Sequence, residues 1–131
     1  MVLELVPDKL LKPRGLRQKQ ALFTFLLADL IMYAYNQGYE LTLGESWVDN
    51  RREERIHMLN TLHRIRLAQD FNLFVNNKLV TTWNLAWEDL GRYWLKLHPL
   101  CRWGGDWNSD GKKNHGETDY GHFSLTHGGR A

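Results

Sequence analysis

From Arg14 to Gln37 the apolar positions Leu16, Leu22, Phe23, Leu26, Leu27, Leu30, Ile31 and Ala34 recur at the three- and four-residue spacing of one helix face, and Gly38 stands where such a helix should stop. Tyr39 to Leu43 alternates and ends at Gly44, the pattern of a strand. Farther on, Ile65, Leu67, Phe71 and Leu73 share one parity, and Arg66, Ala68, Asp70 and Asn72 the other. Period two predicts a half-buried strand with the odd positions in a core and Ala68 and Asp70 facing a cleft. Asn76-Asn77-Lys78 predicts a hairpin turn, with Leu79 to Thr82 returning. Trp87, Leu90, Trp94 and Leu97 mark a second helix, stopped at His98-Pro99.

The stretch 101–119 is rich in Gly, Asp, Asn and Lys and predicts a long loop, a kind that is often functional. Tyr120 to Leu125 predicts a last short strand. Residues 1–13, with Pro7 and Pro13, read as an N-terminal arm or short first helix. The charged run Asp49 to Arg55 reads as a solvated helix face, and 126–131 as a polar tail. The expected architecture is α+β, a small antiparallel sheet with flanking helices in a single domain over 1–131.

Composition narrows the partners more than the fold. A hydrophobic share of 43% and a charged share of 24% are those of an ordinary globular domain. A net charge of +2 gives no case for nucleic acid, although a pI near 8.8 suits a mildly anionic partner. The apolar stretch Ala21 to Tyr35 carries Asp29 and is shorter than the roughly 20 residues a spanning helix needs, so it predicts a core helix. No cleavage-site pattern follows it, so neither membrane insertion nor a signal peptide is expected. The single cysteine, Cys101, rules out an internal disulfide and predicts a buried thiol instead of a nucleophile. The six Trp offer flat surfaces for sugar or peptide, or simply packing.

The chemistry centres on His63 and Asp70, at the start of the central strand and on its cleft side. Imidazole and carboxylate are the ligand types of catalytic zinc, which takes three protein ligands and leaves a fourth position open. Among His98, His115, His122 and His127, only His122 lies inside a predicted strand, and Asp119 precedes it by three residues. A carboxylate there is placed to act as general base. The alternative from the same residues is structural: His63 and His122 as hydrogen-bonded strand ends, and Asp70 as a turn or cap partner.

His63-x6-Asp70 and its strand, then Trp103-Gly104-Gly105-Asp106-Trp107, then Asp119-x-x-His122-Phe123 together resemble the M15 zinc peptidases. These comprise D-alanyl-D-alanine carboxypeptidases, VanX/VanY-type enzymes and phage L-alanyl-D-glutamate endopeptidases. The resemblance runs from about Tyr39 to Leu125 and implies the hedgehog/DD-peptidase-like zinc fold. It implies Zn²⁺ on His63, Asp70 and His122, with Asp119 as base. Thr61 stands two before the first ligand, where the family commonly has Ser. Leu90-Gly91-x-Tyr93-Trp94 resembles the helix of the endolysin branch.

Two departures bear on specificity. The family's first motif is written H-x-x-G-x-A-x-D; here Arg66 replaces Gly while Ala68 is kept, so Arg66 is expected to narrow the cleft or meet a substrate carboxylate. The family also places an Arg shortly after the first strand, where this chain has Val48, leaving Arg51, Arg52 or Arg55 as substitutes. Ser124 stands where a carboxylate or amide often follows His-Phe.

The implied function is hydrolysis of an amide bond in the peptidoglycan stem peptide, as by a monomeric phage endolysin. Such an enzyme is made in the host cytoplasm and acts on the wall at lysis. The alternatives are a D-alanyl-D-alanine carboxypeptidase or dipeptidase, and a non-catalytic phage structural or wall-binding protein stabilised by zinc.

Overall fold

Helix α2 (Gly15–Asn36) is the pillar that the hydrophobic stripe predicts, burying Leu22, Phe23, Leu26, Leu30 and Ala34. The computed structural model describes residues 6–44, 62, 65–111 and 116–131. Gly38, at φ 87°, closes the helix: its N–H donates to the Tyr35 carbonyl (3.1 Å) and that of Tyr39 to Ala34 (2.9 Å). This paired closure needs a left-handed residue, which glycine supplies without a Cβ penalty. A one-turn helix, α1 (Asp8–Leu11), precedes it within the predicted arm.

Helix α3 (Leu85–Leu97) begins two residues earlier than its apolar spacing indicates, because the Asn84 side chain accepts from the Ala86 N–H (2.8 Å) and caps it. It buries Leu90, Trp94 and Leu97 against α2 and the sheet, where the Trp94 ring stands edge-on to Phe23 and Phe123.

The sheet has five antiparallel strands: β1 (Glu40–Leu43), β2 (Ala68–Val75), β3 (Lys78–Leu79), β4 (Cys101–Trp103) and β5 (His122–Leu125). Their order is β1-β2-β5-β4, with β3 beside the far end of β2. The fold is therefore α+β with a small antiparallel sheet, as expected. Leu67, Phe71 and Leu73 are buried at the odd positions of the central segment. Asn76 and Asn77, at φ 52° and 66°, make the predicted hairpin turn, since two consecutive left-handed residues match strand twist.

Three expectations change. The returning strand is only Lys78–Leu79 instead of Leu79 to Thr82. The stretch read as a 101–119 loop opens with β4, whose Cys101 and Trp103 are buried; three residues are too few for a visible period. Ala68, expected in the cleft, is also buried, and it stands opposite the buried Ser124 on β5. The charged run Asp49 to Arg55 lies outside the described residues. Among the described residues no helix is long and apolar enough to cross a membrane.

Candidate metal centre

The β2–β5 register sets Asp70 directly opposite His122. Opposite residues on an antiparallel pair have Cβ atoms about 5 Å apart, so the two side chains meet on one face. Asp70 Oδ1 stands 3.2 Å from His122 Nδ1. The turn entering β5, held by the His122 N–H donating to the Asp119 carbonyl (3.1 Å), brings Asp119 Oδ2 to 4.0 Å from the same nitrogen. One ligand atom from each of Asp70, Asp119 and His122 lies within 4.8 Å of the others. Side-chain exposure rises across the group, from 9% at His122 through 32% at Asp70 to 59% at Asp119.

A groove of about 330 Å³ runs from this group, lined by Asp70, Phe71, Asn72, Trp87, Asp119 and Tyr120, among others. It follows from the topology. On the side away from β1, β2 carries β5 along Ala68–Asp70 and β3 along Phe74–Val75, and the groove opens between them. The Phe71 N–H donates to Gly121 (2.9 Å) and the Val80 N–H to Leu73 (2.8 Å), which fixes the two ends.

The Trp103–Trp107 segment braces the group from behind. The Gly104 N–H donates to the His122 carbonyl (3.0 Å), and the Asp119 N–H to the Gly104 carbonyl (3.2 Å). A Cβ on Gly104 would overlap the Asp119 carbonyl oxygen, so glycine is required there. The Trp107 ring lies 5.0 Å from the His122 imidazole, centroid to centroid. Asp106 is fully buried and accepts from Arg92 and from the Gly111 N–H (2.8 Å). Burial opposes the Arg92 charge, but the Asp106 hydrogen bond and neighbouring Glu88 outweigh it and raise its pKa.

Of the four residues expected to form the centre, Asp70, Asp119 and His122 come together, while His63 lies outside the described residues, as do Thr61, Arg51, Arg52, Arg55 and Val48. Arg66 precedes β2 in an exposed turn at φ 62°, where the Leu67 N–H reaches back to the Leu62 carbonyl (2.9 Å), and it is not among the described residues lining this groove.

The other described histidines do local work. His98 Nδ1 accepts from the Leu100 N–H (3.1 Å), and His127 Nδ1 stands 3.0 Å from Lys19 Nζ. Burial pushes the Cys101 thiol far above its ordinary range, which leaves it unreactive at neutral pH.

A second group was missed in the sequence: Asp106, Asp110 and Glu117 also bring ligand oxygens within 4.8 Å of one another. The signal was present as Asp106-x-Asn108-x-Asp110-Gly111-x5-Glu117, the spacing of oxygen-rich loops that take hard cations. The spacing is hidden within a stretch whose Gly, Asp, Asn and Lys content is that of a polar loop. Here the Asp106 carboxylate also closes the loop on Arg92, Asp110 and Gly111.

An imidazole and two carboxylates, the carboxylates lining the groove, could hold a metal ion with mixed nitrogen and oxygen ligands. They also offer a proton acceptor at the solvent side, Asp119. No protein-family model, curated protein or solved structure matches the chain.

Proposed function

We propose that the protein is a zinc-dependent peptidase that hydrolyses an amide bond in the peptidoglycan stem peptide, in the manner of the phage L-alanyl-D-glutamate endopeptidases it resembles. One observation carries this reading: Asp70, far along the chain from Asp119 and His122, meets them within 4.8 Å beside a groove, and all three are singled out by that resemblance. In this reading His122, Asp70 and His63 hold the ion, and Asp119 is the base. A bound Zn²⁺ supplies Lewis acidity that acidifies water and polarises an amide carbonyl. Asp119, the most exposed of the three described groups, takes the proton from the attacking water at its carboxylate and returns it to the leaving amine. His122, backed by Trp107 and tied through its backbone to Gly104, keeps its imidazole oriented. The groove floor along Phe71 and Asn72 receives an extended peptide. The protein acts as a monomer, reaching the wall once the host membrane has been opened.

Digestion of purified peptidoglycan, with and without chelator, followed by mass identification of the new termini tests this. Chelator-sensitive release of a D-glutamate amino terminus is the expected result. Free D-alanine would assign the carboxypeptidase alternative, and no chelator-sensitive product would remove the peptidase reading.

A further inference from the structure

We infer that the Arg92–Asp106 pair, buried at its Asp106 end, is a positioning device for the metal centre, and that Asp106 acts on His122 and Asp119 without touching either. The inference rests on the reading of Asp70, Asp119 and His122 as that centre. Two lines of contact lead from the pair to it. The Asp106 N–H donates to the Trp103 carbonyl (3.1 Å), closing a tight bend over Gly104 and Gly105. The bend presents Gly104 to the Asp119–His122 turn, donating to one residue and accepting from the other. Through the chain itself, Asp106 also sets Trp107, whose ring lies against the His122 imidazole.

Arg92 fixes the other end. Its guanidinium carbon stands 5.4 Å from the centroid of the Trp103 ring, and Trp103 is fully buried with its Nε1 donating to the Tyr120 carbonyl (2.8 Å). Gly91 and Gly105 lie so close to that ring that a Cβ on either would overlap it. Helix α3, Trp103 and the bend are thus one packed unit, and the Asp119–His122 turn is hydrogen-bonded onto it. A fully buried carboxylate is costly unless it is paired, and here Arg92 and the Gly111 N–H pair it. Holding two members of the centre in register is the role that the contacts define.

The test uses Asp106→Asn, which keeps the shape and removes the charge. Arg92→Gln serves as a second variant, breaking the same pair from its more exposed side in case the buried change prevents folding. Zinc affinity is read by chelator competition, with His122→Ala assigning the zinc to this centre. Amide hydrogen exchange is read on the metal-free protein. Zinc affinity is expected to fall about tenfold in either variant, as for other residues that orient metal ligands. Exchange is expected to quicken at Gly104, Asp119 and His122 while the α2 amides keep their rates. Unchanged zinc affinity with those three amides unaffected, despite a lower melting temperature, would overturn the inference, as would exchange quickening evenly over α2 and β5. If the parent protein binds no zinc through His122, the peptidase reading fails, while the three amides still decide the positioning role.

Discussion

Two of the regions where carboxylates gather in this molecule have opposite consequences. Along the seam between α2 and α3, Tyr33 donates to Asp89 (2.6 Å), Tyr39 to the other oxygen of Asp89 (2.9 Å), and Tyr93 to both oxygens of Asp29 (2.9 and 3.0 Å). The Tyr33 and Tyr93 rings stack at 3.7 Å. Each acid there meets neutral donors that satisfy it, and the seam is complete as built. At the open end of the sheet, Asp70 and Asp119 instead approach the same nitrogen of His122 and lie within 4.8 Å of each other. Two like charges at that separation repel by about 3 kcal/mol at an effective dielectric of about 20. Phenol-capped acids brace a fold; converging acids beside an imidazole invite a cation.

The sharpest way to break this contrast is at Asp119. Asp119→Ala should keep its zinc and lose hydrolysis by about 100-fold or more, the scale of a missing general base; His122→Ala should lose the zinc itself. Peptidoglycan turnover and zinc per protein check both, and normal activity in Asp119→Ala would end its assignment as base. Next in size, Gly104→Ala drives a methyl into the Asp119 carbonyl and should cost about 3 kcal/mol in denaturant unfolding, the upper end for overpacking.

Zinc at 100 times its dissociation constant should stabilise the protein by about 2.7 kcal/mol through mass action. His122→Ala should abolish that gain and Tyr93→Phe should leave it intact, because the seam takes no part in it. Equal loss in both variants would erase the distinction between the two regions.

Tyr93→Phe should itself cost about 1 kcal/mol, the net worth of a hydrogen bond. The seam should also respond to alkali. Burial and the bond to Asp29 push Tyr93 up to about 12, while the bond to Asp89 and burial push Tyr33 up to about 12. A phenol whose pKa is raised on folding stabilises fully below its unfolded value near 10 and loses that contribution as pH rises toward 12. The denaturation midpoint of the parent should therefore fall over that window, and less steeply in Tyr93→Phe. Smallest is Arg66→Gly: relieving a left-handed residue, offset by glycine's entropy, should stabilise by up to about 1 kcal/mol with activity unchanged. A large activity change there would restore Arg66 to the cleft.

Much of the fold was legible because its signals are local. The stripe on α2, the stop at Gly38 and the Asn76-Asn77 turn each follow from a few neighbouring residues and their backbone preferences. The misses share one cause. β4 and the two-residue β3 are too short to show a period, and Arg66 looked like a strand residue because parity continues through a turn that only backbone angles reveal. Asp106 was read as part of a motif and a polar loop, since neither its full burial nor its tie to Arg92 on a distant helix leaves a trace in local composition.

By itself the sequence determined the α+β class, the long helix, the central strand and the presence of chemically apt residues, because periodicity and residue type are properties of short segments. Tertiary structure decided that Asp70 stands opposite His122, that Asp119 reaches the same nitrogen, and that a groove opens between β5 and β3. Those outcomes depend on strand register and on packing between residues far apart in the chain. A one-residue slip in the β2–β5 register would turn Asp70 to the other face and leave the sequence pattern untouched.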